Sequence, residues 1–482
     1  MTMKKVIYLI FISAILVITP SCSNWLDINQ SPNVATSVDP SVLFGYSTMS
    51  WSGNRCGGDL YIPLIFAAQT TSTAGNAGWG SDDYYTLSPY SLGNTWKSYY
   101  ASSGTNLKAA INLAETSSPA QPHVAAQCKI QFAAVMYEAT MLYGDIPYSE
   151  SWNDAISYPK FDSQQSILNS LLSLLDEAIV QASDPATGEI TTSDLAYAGN
   201  MDKWIRFANS LKLRMAMVMV DADPSKTALI KTLIEADKMI NSAAGNYQIP
   251  YLTTAGKENP KFKVLKQYYG GKNAAFFANN TVLDIMKPLN DPRLAVYFTP
   301  GKNAAGAYIG LGTNEEGDVD LNAAVSMYIY RADAPDLIFS YQEQLFLVAE
   351  AYARGLGVTK DLVKANDTFV AAINAAMAYY GVTTSAAATF VATKLPNLTT
   401  SADPVKDIHL QQWVDLMDRP LEAFTQWRRS GVDGSEVPAL TLPEGARSGP
   451  LFRRYEYSPD EATANPNTPK DVKYYTKMWF DK

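Results

Sequence analysis

The apolar positions of this chain recur mostly at the 3.6-residue period of helices that face a core, and three times two such segments follow one another across a short break. The first pair begins at Asn94, with Trp96, Tyr100, Leu107, Ile111 and Ala114 on one face. Residues 117–122 interrupt it, and a second segment from His123 to Tyr143 carries a stripe of Ile130, Ala133, Ala134, Tyr137 and Met141. Gly144 and Pro147 then stop the pattern. Segments 163–182 and 200–220 form a second pair, and 340–354 with 362–380 a third. Antiparallel helices of this length on short turns are αα-hairpins. The intervals between pairs are irregular and no 34-residue consensus recurs. The pattern therefore predicts an all-α fold of tetratricopeptide-like hairpins with large loop-rich insertions, not a regular solenoid.

Shorter signals complete the scaffold. Asp39 and Pro40 mark a helix start running through Val42, Leu43 and Tyr46, and a further helix covers 60–68. Ser340 and Glu343 form a capping box, which leaves Glu350 as a solvated or capping glutamate beside an apolar face. The methionine-rich run at 211–220 reads as core. In LQQWVDLMDRPLEAFTQWRRSG the apolar residues are Trp413, Leu416, Leu421, Phe424 and Trp427. Pro420 suits the first turn of a helix capped by Asp418, with Arg428 and Arg429 in the last turn. The Pro-rich remainder is irregular.

Two aromatic stretches break the period. Residues 71–95 are rich in Gly, Ser, Thr and Asn, yet hold Trp79, Tyr84, Tyr85 and Tyr90, with Trp96 just beyond. Loops carry binding residues more often than scaffolds do, and exposed rings need a reason. Trp79, Tyr84, Tyr85 and Trp96, with the polar Asp82, Asp83 and Asn94, are thus candidate ligand contacts. The second stretch sets Tyr268, Tyr269, Phe276 and Phe277 around Gly270 and Gly271, and adds Tyr268 and Tyr269 to the candidates. The alternative is that both loops fold their rings back onto the core. A third loop clusters Glu315, Glu316, Asp318 and Asp320, hard oxygen donors suited to calcium but without EF-hand spacing; a solvated acidic loop is the competing reading.

The N-terminus changes the setting. Lys4 and Lys5 precede an apolar run from Val6 to Ile18 that is too short to stay in a membrane, so residues 1–21 read as an export signal. Ile18, Thr19, Pro20, Ser21 and Cys22 resemble a bacterial lipobox, in which Cys22 becomes the lipidated N-terminus, although Thr19 stands where the motif usually has leucine. Acylation at Cys22 would hold the chain on a membrane without a transmembrane helix. Residues 22–38 then form a tether, and 39–482 one helical domain.

Composition narrows the choices. With 47% hydrophobic and 18% charged residues among 482, the chain is globular. Its formal charge of −9 becomes more acidic once Lys4 and Lys5 leave with the signal, which argues against nucleic acid as a partner. The sequence has three cysteines, Cys22, Cys56 and Cys128; Cys56 and Cys128 read as buried thiols, with a disulfide as the alternative. His123 and His409 stand far apart and make no zinc motif.

Five strings carry a resemblance: CSNWLDINQSPN from residue 22, MLYGDIPYSES (141–151), FANSLKLRMAM (207–217), IFSYQEQLFLVAEAYARGLGV (338–358) and DLMDRPLEAFTQWRRSGV (415–432). In order and spacing they resemble the SusD/RagB family of Bacteroidetes outer-membrane lipoproteins, in its SusD-like branch with an E-A-(F/W)-x-x-W-R-R-(S/T)-G signature. The resemblance implies a surface lipoprotein, not an enzyme, that binds nutrient, oligosaccharide above all, and delivers it to a SusC-type TonB-dependent transporter. Peptide capture and a structural lid without ligand affinity remain open. A secreted glycoside hydrolase would need two carboxylates in a catalytic context, which no motif supplies.

Overall fold

Helix starts follow the chemistry of the residue before them. Ser163, Asn200 and Ser340 each accept a hydrogen bond from the backbone N–H three residues on, at 3.3, 3.0 and 3.2 Å, and so satisfy a donor that the helix leaves free. In the computed structural model these caps open the helices Gln164–Ala182, Met201–Met219 and Tyr341–Arg354. The structure describes residues 38–73, 87–185, 188–269, 276–313, 315–431, 437–442 and 450–481, with 265–269 described by their backbone alone. The chain divides into two units, Met1–Asp39 and Pro40–Lys482, and the second carries the architecture below.

The three expected hairpins form. Thr105–Thr116 packs on Pro122–Tyr143, Gln164–Ala182 on Met201–Met219, and Tyr341–Arg354 on Leu362–Tyr379; Pro122–Tyr143 also lies along Gln164–Ala182 and joins the first pair to the second. The first pair starts earlier than its period suggests. Ser88 caps a helix over Pro89–Lys97, a π-helical segment spans Ser98–Gly104, and the α-helix resumes at Thr105. At Gly104 a Cβ would stand 2.4 Å from Cζ2 of Trp152, so only glycine lets that ring lie against the backbone. From His123 to Tyr143 every residue is buried, because neighbours close on all sides of that helix. Gly144, at φ 73°, ends it in a conformation a side chain would strain.

Several local expectations change. In Pro40–Arg55 the core face is Phe44 and Trp51, while Val42 and Tyr46 face outward. The stretch 245–335 builds short helices and three strands of a four-stranded sheet, whose order is Thr71–Thr73, Phe276–Ala278, Ala324–Val325 and Phe298–Thr299. Phe276 and Phe277 are strand residues buried in that sheet, not loop aromatics. Cys56 and Cys128 are both buried and unpaired.

The largest departure lies at the centre, where charged residues, Glu350 among them, form a buried network. Arg55 bonds Glu138, reaches Asp336 at 3.1 Å and Glu422 at 3.2 Å. Glu343 takes Arg214 at 2.7 Å and Arg419 at 2.6 Å, and Arg419 also bonds Asp415 at 2.9 Å. Glu343 is therefore only half of a capping box: its N–H meets Ser340 while its carboxylate serves two arginines. Glu350 is likewise neither solvated nor a cap. It is fully buried, bonded to Arg354 at 2.9 Å and Arg429 at 2.7 Å, with His409 Nε2 at 3.2 Å. Burial alone would push its carboxyl up; Arg429, His409 and Arg354 outweigh that and hold it well below the usual carboxylate range.

The arginines closing Pro420–Arg429 are buried too. Arg428 donates to the carbonyls of Met141 and Arg453 at 2.8 and 2.9 Å and lies 4.1 Å over the Phe424 ring, which clamps the chain beyond residue 450 onto the helical scaffold. The residue before that helix is Arg419, with no side-chain cap, so Asp418 is released for other work.

Candidate ligand-binding face

Asp418 points to a turn that organises one face of the molecule. The turn runs from Cys56 to Tyr61 between the helices Pro40–Arg55 and Tyr61–Ala67. On one side Asp59 accepts hydrogen bonds from Ser91 Oγ at 3.0 Å and Asn94 Nδ2 at 2.9 Å. On the other, Gly57, Gly58 and Tyr61 line a crevice that extends to Val264 and Phe276. Tyr61 donates to Asp418 Oδ1 at 2.6 Å, and Lys261 bonds Asp418 Oδ2 at 2.7 Å while lying 5.1 Å over the Tyr61 ring. Burial works against the Lys261 charge, and Asp418 more than offsets it, so the ammonium is held above its ordinary value. Burial raises the Cys56 thiol and keeps it protonated.

Beside this turn the described ends of the two aromatic stretches meet. Thr73 and Phe276 are register partners in the antiparallel pair Thr71–Thr73/Phe276–Ala278. Residues 74–86 follow Thr73, and residues 270–275 precede Phe276. Thr73 and Phe276, far apart in sequence, thus occupy adjacent backbone positions. In the Pro89–Lys97 helix Tyr90 is 81% exposed, and Asn94, one helical turn on, shares its face. An uncovered ring next to a positioned amide can stack on an apolar face and hydrogen-bond a hydroxyl.

Just beyond the Phe276–Ala278 strand, at Asn279, lies an open depression of about 690 Å³, within the range of small-molecule sites. Its lining includes Asn280, Thr281, Asp284, Thr313, Glu315 and Lys406. Asn279, the residue after the strand, reaches Ser72 Oγ at 2.7 Å and Thr313 Oγ1 at 3.1 Å, which ties the depression to the Thr71–Thr73 strand.

The predicted contacts fare differently. Trp79, Asp82, Asp83, Tyr84 and Tyr85, and the lipidation residue Cys22, lie outside the described residues. Asn94 is exposed where expected. Trp96 is not a ligand contact: 8% exposed, it stacks on Tyr100 at 4.6 Å, meets Tyr143 edge-on at 4.9 Å and packs against Phe161 and Tyr457, so its faces are taken by protein. Tyr268 and Tyr269 end the Pro260–Tyr269 helix, with side chains outside the description.

The acidic loop spends its oxygens locally. Glu315 accepts from the Gly312 N–H at 2.7 Å, Asp318 from the Asp320 N–H at 2.8 Å, and Asp320 pairs with Lys302 at 2.8 Å; Glu316 is exposed. Among the described residues no group of three His, Cys, Asp or Glu is placed to hold a metal ion. Sequence reasoning missed Tyr61, Lys261, Tyr328, Arg331, Tyr379 and Asp418, which line a pocket beside the turn. Their only signal was the Tyr-rich SMYIYRAD at 326–333, and nothing along the chain links it to residue 61.

A family model described as starch-binding and associating with the outer membrane, SusD-like, matches residues 64–458. The chain belongs to the SusD-like family. Solved structures with the SusD fold agree. A chitin-binding protein superposes with a TM-score of 0.79 at 23% identity, covering 92% of this chain and 100% of that one. A SusD/RagB family protein of Bacteroides thetaiotaomicron gives 0.77 at 20% identity, covering 92% and 99%. A chitin-binding SusD homolog from Flavobacterium johnsoniae gives 0.76 at 19%, covering 91% and 98%. At these identities the likeness shows the fold alone. No curated protein matches in sequence. SusD-like proteins bind nutrients and are not enzymes, and the family description associates them with the outer membrane. Among the described residues no helix is long and apolar enough to cross a membrane.

Proposed function

We propose that this SusD-like chain is anchored to the outer membrane through lipid on Cys22, faces the cell exterior, and captures oligosaccharide for a SusC-type TonB-dependent transporter. The observation that carries this reading is the exposed ring of Tyr90 beside the exposed amide of Asn94 on the Pro89–Lys97 helix, in a chain that belongs to the SusD-like family. Sugar rings offer flat C–H faces to aromatic side chains and hydroxyls to amides and carboxylates. The depression lined by Asn280, Asp284, Glu315 and Lys406 adds the polar contacts that an oligosaccharide needs.

The test is a titration of the lipid-free chain, begun at Ser23, with neutral oligosaccharides and with peptides, followed by tryptophan fluorescence. Saturable quenching by oligosaccharide that is lost in Trp79→Ala supports the reading. A response to peptides alone moves the ligand class, and no response to either leaves a lid without ligand affinity. For the anchor, Cys22→Ala must move from the membrane to the soluble fraction; full retention in the membrane would refute it.

A further inference from the structure

The Pro89–Lys97 helix has a second open depression on its other flank. Ser91 and Asn94 turn toward Asp59, whereas Pro89 and Leu92 line this depression together with Pro459, Pro466, Pro469 and Val472 from the chain beyond residue 450. At about 100° per residue, Tyr90 falls between Pro89 and Asn94 around the helix, and so stands on the ridge between the two flanks. The volume is about 620 Å³, again within the range of small-molecule sites.

Four prolines in the lining make this a stiff apolar surface. Each has a fixed φ and no N–H, so a ligand that covers it strands no donor there. The lining is also pinned from outside. Asn465 Nδ2 donates to the Pro159 carbonyl at 2.9 Å, Asn467 Nδ2 to the Tyr158 carbonyl at 2.8 Å, and the Tyr457 hydroxyl to the Asp145 carbonyl at 2.7 Å. A surface formed in advance loses little freedom when a ligand arrives.

Two exposed rings border it. Tyr90 is the residue after Pro89, and Tyr158, 57% exposed, is held beside the Pro466–Pro469 stretch by the bond from Asn467. A single exposed ring is ordinary, but two beside one apolar depression mark a binding surface. The charged groups at the depression are Lys470 against Glu456 and Asp471, so there is no positive excess to draw an anion. Apolar walls, flanking rings and a few polar groups suit a neutral sugar, whose C–H faces pack and whose hydroxyls turn outward.

We infer that this depression is an extension subsite for a neutral oligosaccharide: a ligand that meets Tyr90 and Asn94 continues over the helix and lays its further sugar units on the proline-lined wall and Tyr158. The inference rests on the proposed function and adds to it that the protein selects for chain length.

The experiment is calorimetric titration of the full-length protein in detergent with the disaccharide and the hexasaccharide of two neutral series, chito- and malto-oligosaccharides, and with a proline-rich peptide. The expected result is that in one series the hexasaccharide binds roughly tenfold or more tighter than the disaccharide. Ala462→Trp places a bulky ring in the depression from an exposed position on the Pro459–Ala464 helix, and Tyr158→Ala removes a bordering ring. Each should bring the two affinities to within about threefold of each other by weakening the hexasaccharide alone. Equal affinities for the two lengths, or a length preference that survives Ala462→Trp, overturns the subsite and leaves the proposed function standing. If no sugar binds, or the peptide alone binds, both fall. Thermal transitions that match the parent's exclude misfolding of either variant.

Discussion

The buried network and the ligand-binding face use the same side chains, arginine, lysine, aspartate, glutamate and tyrosine, to opposite ends. In the network each carboxylate is closed in by cations of the same chain: Glu343 by Arg214 and Arg419, Glu350 by Arg354 and Arg429. On the face, Asn94 and Arg331 are anchored on one side and open on the other. The network fixes how helices from distant parts of the chain meet, whereas the face keeps hydrogen-bonding capacity for something outside. Arg214, Glu343, Glu350, Glu422 and Arg429 all lie in the strings that carry the family resemblance. Those strings therefore report the scaffold, and they are silent about the ligand.

The comparison can be broken by substitutions that cross it. The largest effect is expected at Glu350→Ala, which leaves Arg354 and Arg429 without a shared carboxylate; it should cost about 3–5 kcal/mol in chemical denaturation. A loss below about 1 kcal/mol would mean that the network is not a structural keystone. Trp96→Ala tests whether that ring belongs to the core. It should cost about 3–5 kcal/mol, with ligand affinity of the folded fraction unchanged; an affinity loss at full stability would return Trp96 to the face.

Acidity probes the network as a whole. Glu343 and Glu350 have folded pKa values below the unfolded value of about 4.3, so their contribution is complete above that pH and is lost as pH falls through the folded values. Glu138 has the opposite sign: burial, only partly offset by Arg55, pushes its carboxyl up to about 7, and its share declines as pH rises from about 4.3 through 7. Urea midpoints should drop steeply below about pH 4 and slope gently downward toward pH 8. Glu138→Gln should flatten only the upper slope.

Smaller effects belong to the face. Trp79→Ala should weaken oligosaccharide binding about tenfold, equivalent to 1.4 kcal/mol, and leave the thermal midpoint unmoved. Asn94→Ala should shift stability by less than about 0.5 kcal/mol and act mainly on affinity, which a paired melt and titration would reveal.

Much of the scaffold was legible along the chain because it rests on local rules. Caps at Ser163, Asn200 and Ser340 and the apolar stripes of the three hairpins act within one or two helical turns, so a single pass over the residues finds them. The reading failed where a side chain's meaning depends on a partner far away. Glu350 looks solvated until Arg429 and His409 are brought to it, and Trp96 looks like a loop aromatic until Tyr143 and Tyr457 cover it.

By itself, then, the sequence determined the helical class, the hairpin pairs and the family, since periodicity, caps and short motifs are properties of neighbouring residues. Only the tertiary structure decided which charges are buried, that Thr73 and Phe276 are register partners, and that Tyr61, Lys261, Arg331, Tyr379 and Arg419 share a pocket. The physical reason is that burial and pairing are set by what packs against a residue, and for these residues the neighbours come from tens to hundreds of positions away.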